Sequence, residues 1–271
     1  MHNVHVHGLL PWVDWRRLLG PGEWVHDGPG AHAPLPTHAA ADLDARLHNV
    51  AIGGSPLRVD CVPPLPRAAV RAARTTDARR RREATPGFTR SGVRLDAEGK
   101  VSLTPEALAL QLGERVAAGG AGLTVVDAGC GAGGNAIGFA RAGCTVTAIE
   151  TSASRLADAR HNARIYGVDD RIRFVHGDAA ALVAGLSGDV LFLDPPWGTD
   201  WSRSGMGIVD LPLLDIIVAS RARFRRILLK LPPSFRVHEL PDARPEAIFG
   251  LGAGDNRRVK FLLVSIPGSA H

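Results

Sequence analysis

The stretch Val125-Val126-Asp127-Ala128-Gly129-Cys130-Gly131-Ala132-Gly133-Gly134-Asn135 narrows the fold more than any other part of this chain. A short apolar strand ends in an acid, and closely spaced glycines then let the backbone bend sharply and approach a ligand. Residues 135–141 start a helix. A second strand, 145–149, ends at Glu150, 23 residues after Asp127, where a carboxylate can accept both hydroxyls of a ribose. Further strands are expected at 172–176, 190–193, 226–231 and 259–266, with an amphipathic helix over 153–166. Strands alternating with helices at this spacing imply βαβ units and a mostly parallel sheet.

Asp127 and the glycine spacing bear on what the loop holds. A nicotinamide cofactor uses a similar strand, loop and acid, but a carboxylate just before the glycines repels a pyrophosphate. The loop also reads GxGxGG rather than GxGxxG. A methionine-type cofactor with an ammonium and a sulfonium fits this electrostatics better. Gly177-Asp178 follows the third strand, where an acid can accept a hydrogen bond from an adenine amine or cap the helix predicted over 179–186.

The sharpest motif closes the fourth strand: Leu193-Asp194-Pro195-Pro196-Trp197-Gly198. Two prolines after an acid lock an extended turn and leave carbonyls with no following N–H to engage. Those carbonyls and Asp194 can accept hydrogen bonds from both N–H groups of a flat amine, and Trp197 offers a face for stacking a base. Upstream, Thr104 is expected to cap a helix that begins at Pro105 and runs to about Ala117.

Before residue 85, Pro, Gly, His and Ala are frequent and hydrophobic periodicity is weak. A short helix is expected at 42–50 and a short strand at 57–62, before Pro63-Pro64-Leu65-Pro66 interrupts the chain. Residues 67–83 are rich in Ala and Arg and contain no Gly or Pro, which predicts a helix. Arg67, Arg71 and Arg74 fall on one face of it, either to grip a phosphate backbone or as a solvated surface. The formal charge is +5, and Lys100, Lys230 and Lys260 are the only lysines. Cys61, Cys130 and Cys144 have no CxxC spacing, so neither a disulfide framework nor a zinc knuckle is supported. The alternating pair His5 and His7 is a weak signal for a metal, because no downstream set of ligands supports it. With no apolar run of membrane-spanning length and no secretory signal at the start, a cytoplasmic location is expected.

These motifs resemble the class I methyltransferase fold and its (D/N/S)PPW amino-methyltransferase signature. The chain is most similar to the trimethylguanosine synthase family, the RNA cap guanine-N2 methyltransferases. That resemblance rests on Gly92-Val93-Arg94-Leu95-Asp96, Glu98-Gly99, Ser102-Leu103-Thr104-Pro105-Glu106, Ala159-Arg160-His161-Asn162-Ala163, Tyr166-Gly167 and Leu231-Pro232, together with the motifs above. It implies a Rossmann-like α/β domain over 86–271, with a mostly parallel seven-stranded sheet and helices on both faces, preceded by an extension over 1–85. It further implies S-adenosyl-L-methionine held by Ser102, Thr104, Asp127, Gly129, Gly131, Asn135, Glu150 and Asp178. Asp194, Pro195 and Pro196 would then grip the amine of RNA or a guanine nucleotide, and Trp197 would stack on the base. Val101 and Thr199 depart from the family pattern. Adenine N6, a glutamine side chain or a small metabolite are alternative acceptors, and a non-catalytic RNA-binding protein on the same core is a further alternative.

Overall fold

The first sixty residues, where the sequence shows little periodicity, form an antiparallel sheet. The structure, a computed structural model, describes residues 1–198, 206–211 and 215–269; Thr199 lies outside them. Strands β1 (His2–His7), β2 (Val25–His26), β3 (Gly30–Leu35) and β6 (Arg58–Val62) pair in the order β2-β3-β1-β6. Alternation along β1 buries Val4 and Val6 and turns His5 and His7 outward, as the two-residue repeat of a strand requires. His5 stacks on His32 and His7 faces Asp60. Among the described residues no group of three or more His, Cys, Asp or Glu is placed to hold a metal. Helices α1 (Trp15–Leu19) and α2 (Thr37–Leu47) complete this layer, and a hairpin of β4 (Ala51–Ile52) and β5 (Ser55–Pro56) leaves it. The helix expected at 42–50 therefore starts five residues earlier and stops at Leu47. The basic segment forms α3 (Arg67–Arg80), followed by a 3-10 turn over Arg81–Glu83.

The rest of the chain builds a seven-stranded sheet from β7 (Thr124–Ala128), β8 (Thr145–Glu150), β9 (Ile172–His176), β10 (Gly188–Leu193), β11 (Phe224–Leu231), β12 (Arg244–Phe249) and β13 (Val259–Pro267). Their order is β12-β13-β11-β10-β7-β8-β9. Strands β7 to β11 run parallel, while β13 is antiparallel to both β11 and β12. This is the mostly parallel, Rossmann-like sheet expected of a class I methyltransferase. The seventh strand, β12, escaped the sequence reading because Pro245 and a register shift at Ile248/Phe249 break its pattern. Such features are tolerated at a sheet edge.

Short α4 (Ala97–Ser102) precedes α5 (Glu106–Ala117), α6 (Gly134–Arg141) and α7 (Ala153–Tyr166), while α8 (Ala179–Val183) and α9 (Asp215–Ser220) come later. Leu108, Ile137, Phe139 and Ala159 cover one face of the sheet beside Val125 and Val190. Ala179, Val183, Ile216 and Ile217 cover the other beside Val126 and Leu191. Helices α5 and α6 touch backbone to backbone: a Cβ on Gly113 would lie 2.5 Å from the Gly138 carbonyl oxygen. Thr104 does not cap α5. Pro105 takes the cap position with extended backbone (ψ 135°), and the helix starts at Glu106.

The N-terminal layer packs at the C-terminal ends of the parallel strands. The Gly53 N–H, at the tip of the β4–β5 hairpin, donates to the Pro233 carbonyl just beyond β11 (2.7 Å). Buried Arg46 donates to Leu18 O (2.7 Å) and to Arg257 O (3.1 Å). Thr85 donates from both N and Oγ1 to Asp255 (2.9 and 2.8 Å). Val4, Val6 and Leu43 share one apolar cluster with Leu193, Leu231 and Phe235, so the two sheets enclose a continuous core.

Candidate active site

Asp127, Glu150, Asp194 and Lys230 all sit at or just beyond the C-terminal ends of adjacent parallel strands, where open α/β sheets bind ligands. After Asp127 the backbone turns under Glu150. The amides of Gly129 and Cys130 donate to Ile149 O (3.0 and 2.8 Å), and Gly131 N donates to Glu150 Oε2 (2.9 Å). Glu150 Oε1 also accepts from Ser152 N (2.8 Å). Gly133 enters α6 at φ +91°, and a Cβ there would press within 3.2 Å of Ala159. The position demands glycine for both reasons.

Asp127 is completely buried, and among the described residues neither carboxylate oxygen has a hydrogen-bond partner; the Ala136 N–H approaches it only weakly. Burial, reinforced by the charges of Asp194 and Glu150, pushes its carboxyl up to about 8. Thr104 Oγ1 and Asn135 Oδ1 are likewise buried without a partner among the described residues. Unsatisfied buried groups are rare in folded proteins, and these three sit on β7, at the start of α6 and just before α5. An ammonium beside Asp127 and ligand donors to Asn135 and Thr104 would satisfy them, so the donor set fits a cationic amino-acid-like ligand.

Asp194 follows β10 and is flanked by two donors. Lys230 Nζ lies 2.6 Å from Asp194 Oδ2, and Asn135 Nδ2 donates to the same oxygen (3.1 Å). Lys230 is 4% exposed, and its ammonium lies 5.0 Å from the Trp197 ring centroid and 5.5 Å from that of Phe261. Trp197 is half-buried and packs against both apolar clusters. Sequence reasoning did not single out Lys230. Its one signal was a lysine inside the otherwise apolar run Ile227-Leu228-Leu229-Lys230-Leu231.

The segments behind the resemblance meet in space. Asn162 is fully buried, pairs with the backbone of Arg94 in both directions (2.7 and 2.9 Å) and donates to Ala132 O (2.9 Å). Asp96 caps α4 through Gly99 N (2.6 Å) and pairs with Arg155. Residues 92–106 thus form a strap across the glycine loop.

Other expected site residues stand further off. Ser102 is exposed, with its hydroxyl donating back to Glu98 O (3.0 Å). Asp178 is exposed and caps α8 through Ala180 N (2.9 Å). Arg67, Arg71 and Arg74 are exposed on α3, where they line an open groove with Leu65 and Val70. None of the described helices is long and apolar enough to cross a membrane.

The family model for RNA cap guanine-N2 methyltransferases matches residues 123–211. The chain is 34% identical to a trimethylguanosine synthase of Schizosaccharomyces pombe over 126 residues, covering 44% of this chain and 52% of that protein. It is 36% identical to the trimethylguanosine synthase of Saccharomyces cerevisiae over 103 residues, 36% of this chain and 33% of the relative. A release factor glutamine methyltransferase of Chlorobaculum tepidum is 41% identical over 80 residues, 27% of each chain. The chain therefore spans about half the first of these proteins and less of the others.

Proposed function

We propose that this chain, which matches the RNA cap guanine-N2 methyltransferase family model over residues 123–211, transfers a methyl group to the exocyclic amine of a guanine base in RNA or a guanine nucleotide. The observation that carries the reading is the juxtaposition of the two halves of such a site. Asp194-Pro195-Pro196-Trp197 follows the strand next to the one that carries buried Asp127, whose carboxylate has no hydrogen-bond partner among the described residues, and Asn135 on α6 donates to Asp194.

S-adenosyl-L-methionine, when bound, supplies a methyl on a sulfonium that needs no further activation. This chain's residues align and desolvate. Asp127 would hold the cofactor's ammonium, Glu150 its ribose hydroxyls, and Thr104 and Asn135 would complete the polar wall. Gly129 and Gly131 let the backbone approach. Asp178 would contact the adenine in addition to capping α8, whereas Ser102 would have to turn inward.

A base amine is a poor nucleophile because its lone pair is conjugated with the ring. Asp194 and the Pro195 carbonyl would accept its two N–H bonds and localise that lone pair, with Trp197 stacked on the base. Residues 1–85 would then form an accessory module above the substrate end of the sheet, its α3 arginines following a phosphate backbone.

A side-chain amide is the second reading, favoured by the identity to the glutamine methyltransferase. Asp194 and Pro195 would grip an amide NH2 equally well, but Trp197 and the basic groove suit a nucleotide better. The test is transfer of labelled methyl to RNA, DNA, guanosine nucleotides and a glutamine peptide, followed by nucleoside and peptide mass spectrometry. Label in N2-methylguanosine is the expected outcome; label confined to the peptide would overturn it.

A further inference from the structure

Asp194 has two carboxylate oxygens, and the structure uses them differently. Oδ2 accepts from Lys230 Nζ (2.6 Å) and from Asn135 Nδ2 (3.1 Å). Oδ1 takes no hydrogen bond among the described residues, and the side chain keeps 15% of its surface exposed. A free carboxylate turns about two side-chain bonds, and a swinging acceptor serves poorly where a nitrogen must aim its lone pair along one line. Two donors from separate elements, β11 and α6, converge on Oδ2 and remove that freedom. The donors are themselves held. The register that sets Leu229 beside Leu193 brings Lys230 level with Asp194. Its ammonium also lies 5.0 and 5.5 Å from the ring centroids of Trp197 and Phe261. A lysine at 4% exposure is costly to desolvate, and a buried ion pair adds little stability over apolar residues of the same volume. What the lysine does to Asp194 accounts for its place better than stability does.

We infer that Lys230 is a positioning residue: together with Asn135 it fixes Asp194 Oδ2, and so presents Oδ1 to the amine that receives the methyl. It acts through Asp194 and touches no reacting atom. The inference rests on the amine-transfer reading above, and it applies equally to a base amine and a side-chain amide, since each brings two N–H groups to the same acceptor. One consequence separates this role from general support of the fold. Asparagine at position 194 also satisfies the (D/N/S)PPW signature, but it has no charge for an ammonium to hold. Lys230 should therefore matter only while residue 194 is an acid.

The test is a double-mutant cycle in kcat on the full chain, comparing Lys230→Met, Asp194→Asn and the two together. The acceptor is whichever of RNA, guanosine nucleotide or glutamine peptide takes label from S-adenosylmethionine, and kcat is counted per site that binds S-adenosylhomocysteine, so that misfolded protein does not enter. Lys230→Met should lower kcat on the order of tenfold to a hundredfold, the range of one charged hydrogen bond. In the Asp194→Asn background the same replacement should cost no more than about twofold. A lysine that only supports the fold would cost the same factor in both backgrounds. Equal losses, or a Lys230→Met variant with wild-type kcat, overturn the inference. Should Lys230→Met fail to fold, Lys230→Gln, neutral and one atom shorter, runs the same cycle with the same criteria. Label confined to the peptide overturns the guanine reading, while the cycle on that peptide still decides the role of Lys230. No label in any acceptor, with cofactor bound, overturns both.

Discussion

Replacing Asp127 with asparagine keeps the shape of the pocket floor and removes one ionisable group, and the pH dependence of cofactor binding should report the change. In the wild-type protein the buried carboxyl is held up to about 8 by desolvation and by its acidic neighbours Asp194 and Glu150. At neutral pH it therefore carries a proton, and binding an ammonium must expel it. Between about pH 8 and pH 6 the ionised fraction falls from roughly one half to one hundredth, so apparent affinity for S-adenosylhomocysteine should weaken on the order of fiftyfold. Titration calorimetry at pH 7 in two buffers of different ionisation enthalpy should show release of about 0.9 proton per cofactor bound. Asp127→Asn should abolish both the release and the slope, with affinity lowered on the order of a hundredfold through loss of a charged hydrogen bond. The stability of the cofactor-free protein should move in the opposite direction. Folded Asp127 keeps its proton up to about 8, whereas the unfolded chain releases it near 3.8. The folded state thus binds more protons across that window, and this group's contribution to stability declines as pH rises through it. A wild-type affinity that is flat between about pH 6 and 8, with no buffer dependence of the heat, would refute the assignment of Asp127 to the ammonium.

Asp194→Ala should reduce methyl transfer by at least about a thousandfold, because it removes an acceptor needed in the transition state; cofactor affinity measured alongside should fall little. Trp197→Ala should raise KM for a flat acceptor on the order of five- to a hundredfold, the range of one lost base stack, with kcat changed less. Replacing Arg67, Arg71 and Arg74 together by alanine should lower the slope of log affinity for single-stranded RNA against log salt by about 2. Transfer to a mononucleotide should stay unchanged, and an unaltered slope would return α3 to the role of a solvated helix.

The acids Asp127, Glu150 and Asp194 were legible in the sequence because each closes a strand whose apolar run is visible, and a parallel sheet brings such endings together without long-range information. Lys230 closes a strand too, yet its partnership with Asp194 depends on the register that sets Leu193 beside Leu229, and no local pattern encodes register between distant strands. Thr104 shows the limit at single-residue scale. A threonine before Pro-Glu reads equally well as a helix cap, and only the structure shows Pro105 in the cap position and the buried Thr104 hydroxyl without a partner among the described residues. The N-terminal sheet stayed hidden because β3 contains Gly30 and Pro34, and because His2–His7 alternates imidazoles with valines rather than the usual polar residues. Without strands 1 and 3 in view, the helix over Thr37–Leu47 had no surface to be amphipathic against.

The continuity of the core across the two sheets has a consequence for how this chain can be taken apart. Val4, Val6 and Leu43 on one side and Leu231 and Phe235 on the other are walls of the same room, with Arg46 and Thr85 bolted across it. Cutting the chain at residue 85 would open that room to water. What remained would be a catalytic half with a wet floor, and its inactivity would say nothing about RNA. The N-terminal layer is better dissected by changing the residues it shows to solvent, while those it shows to its neighbour are left alone.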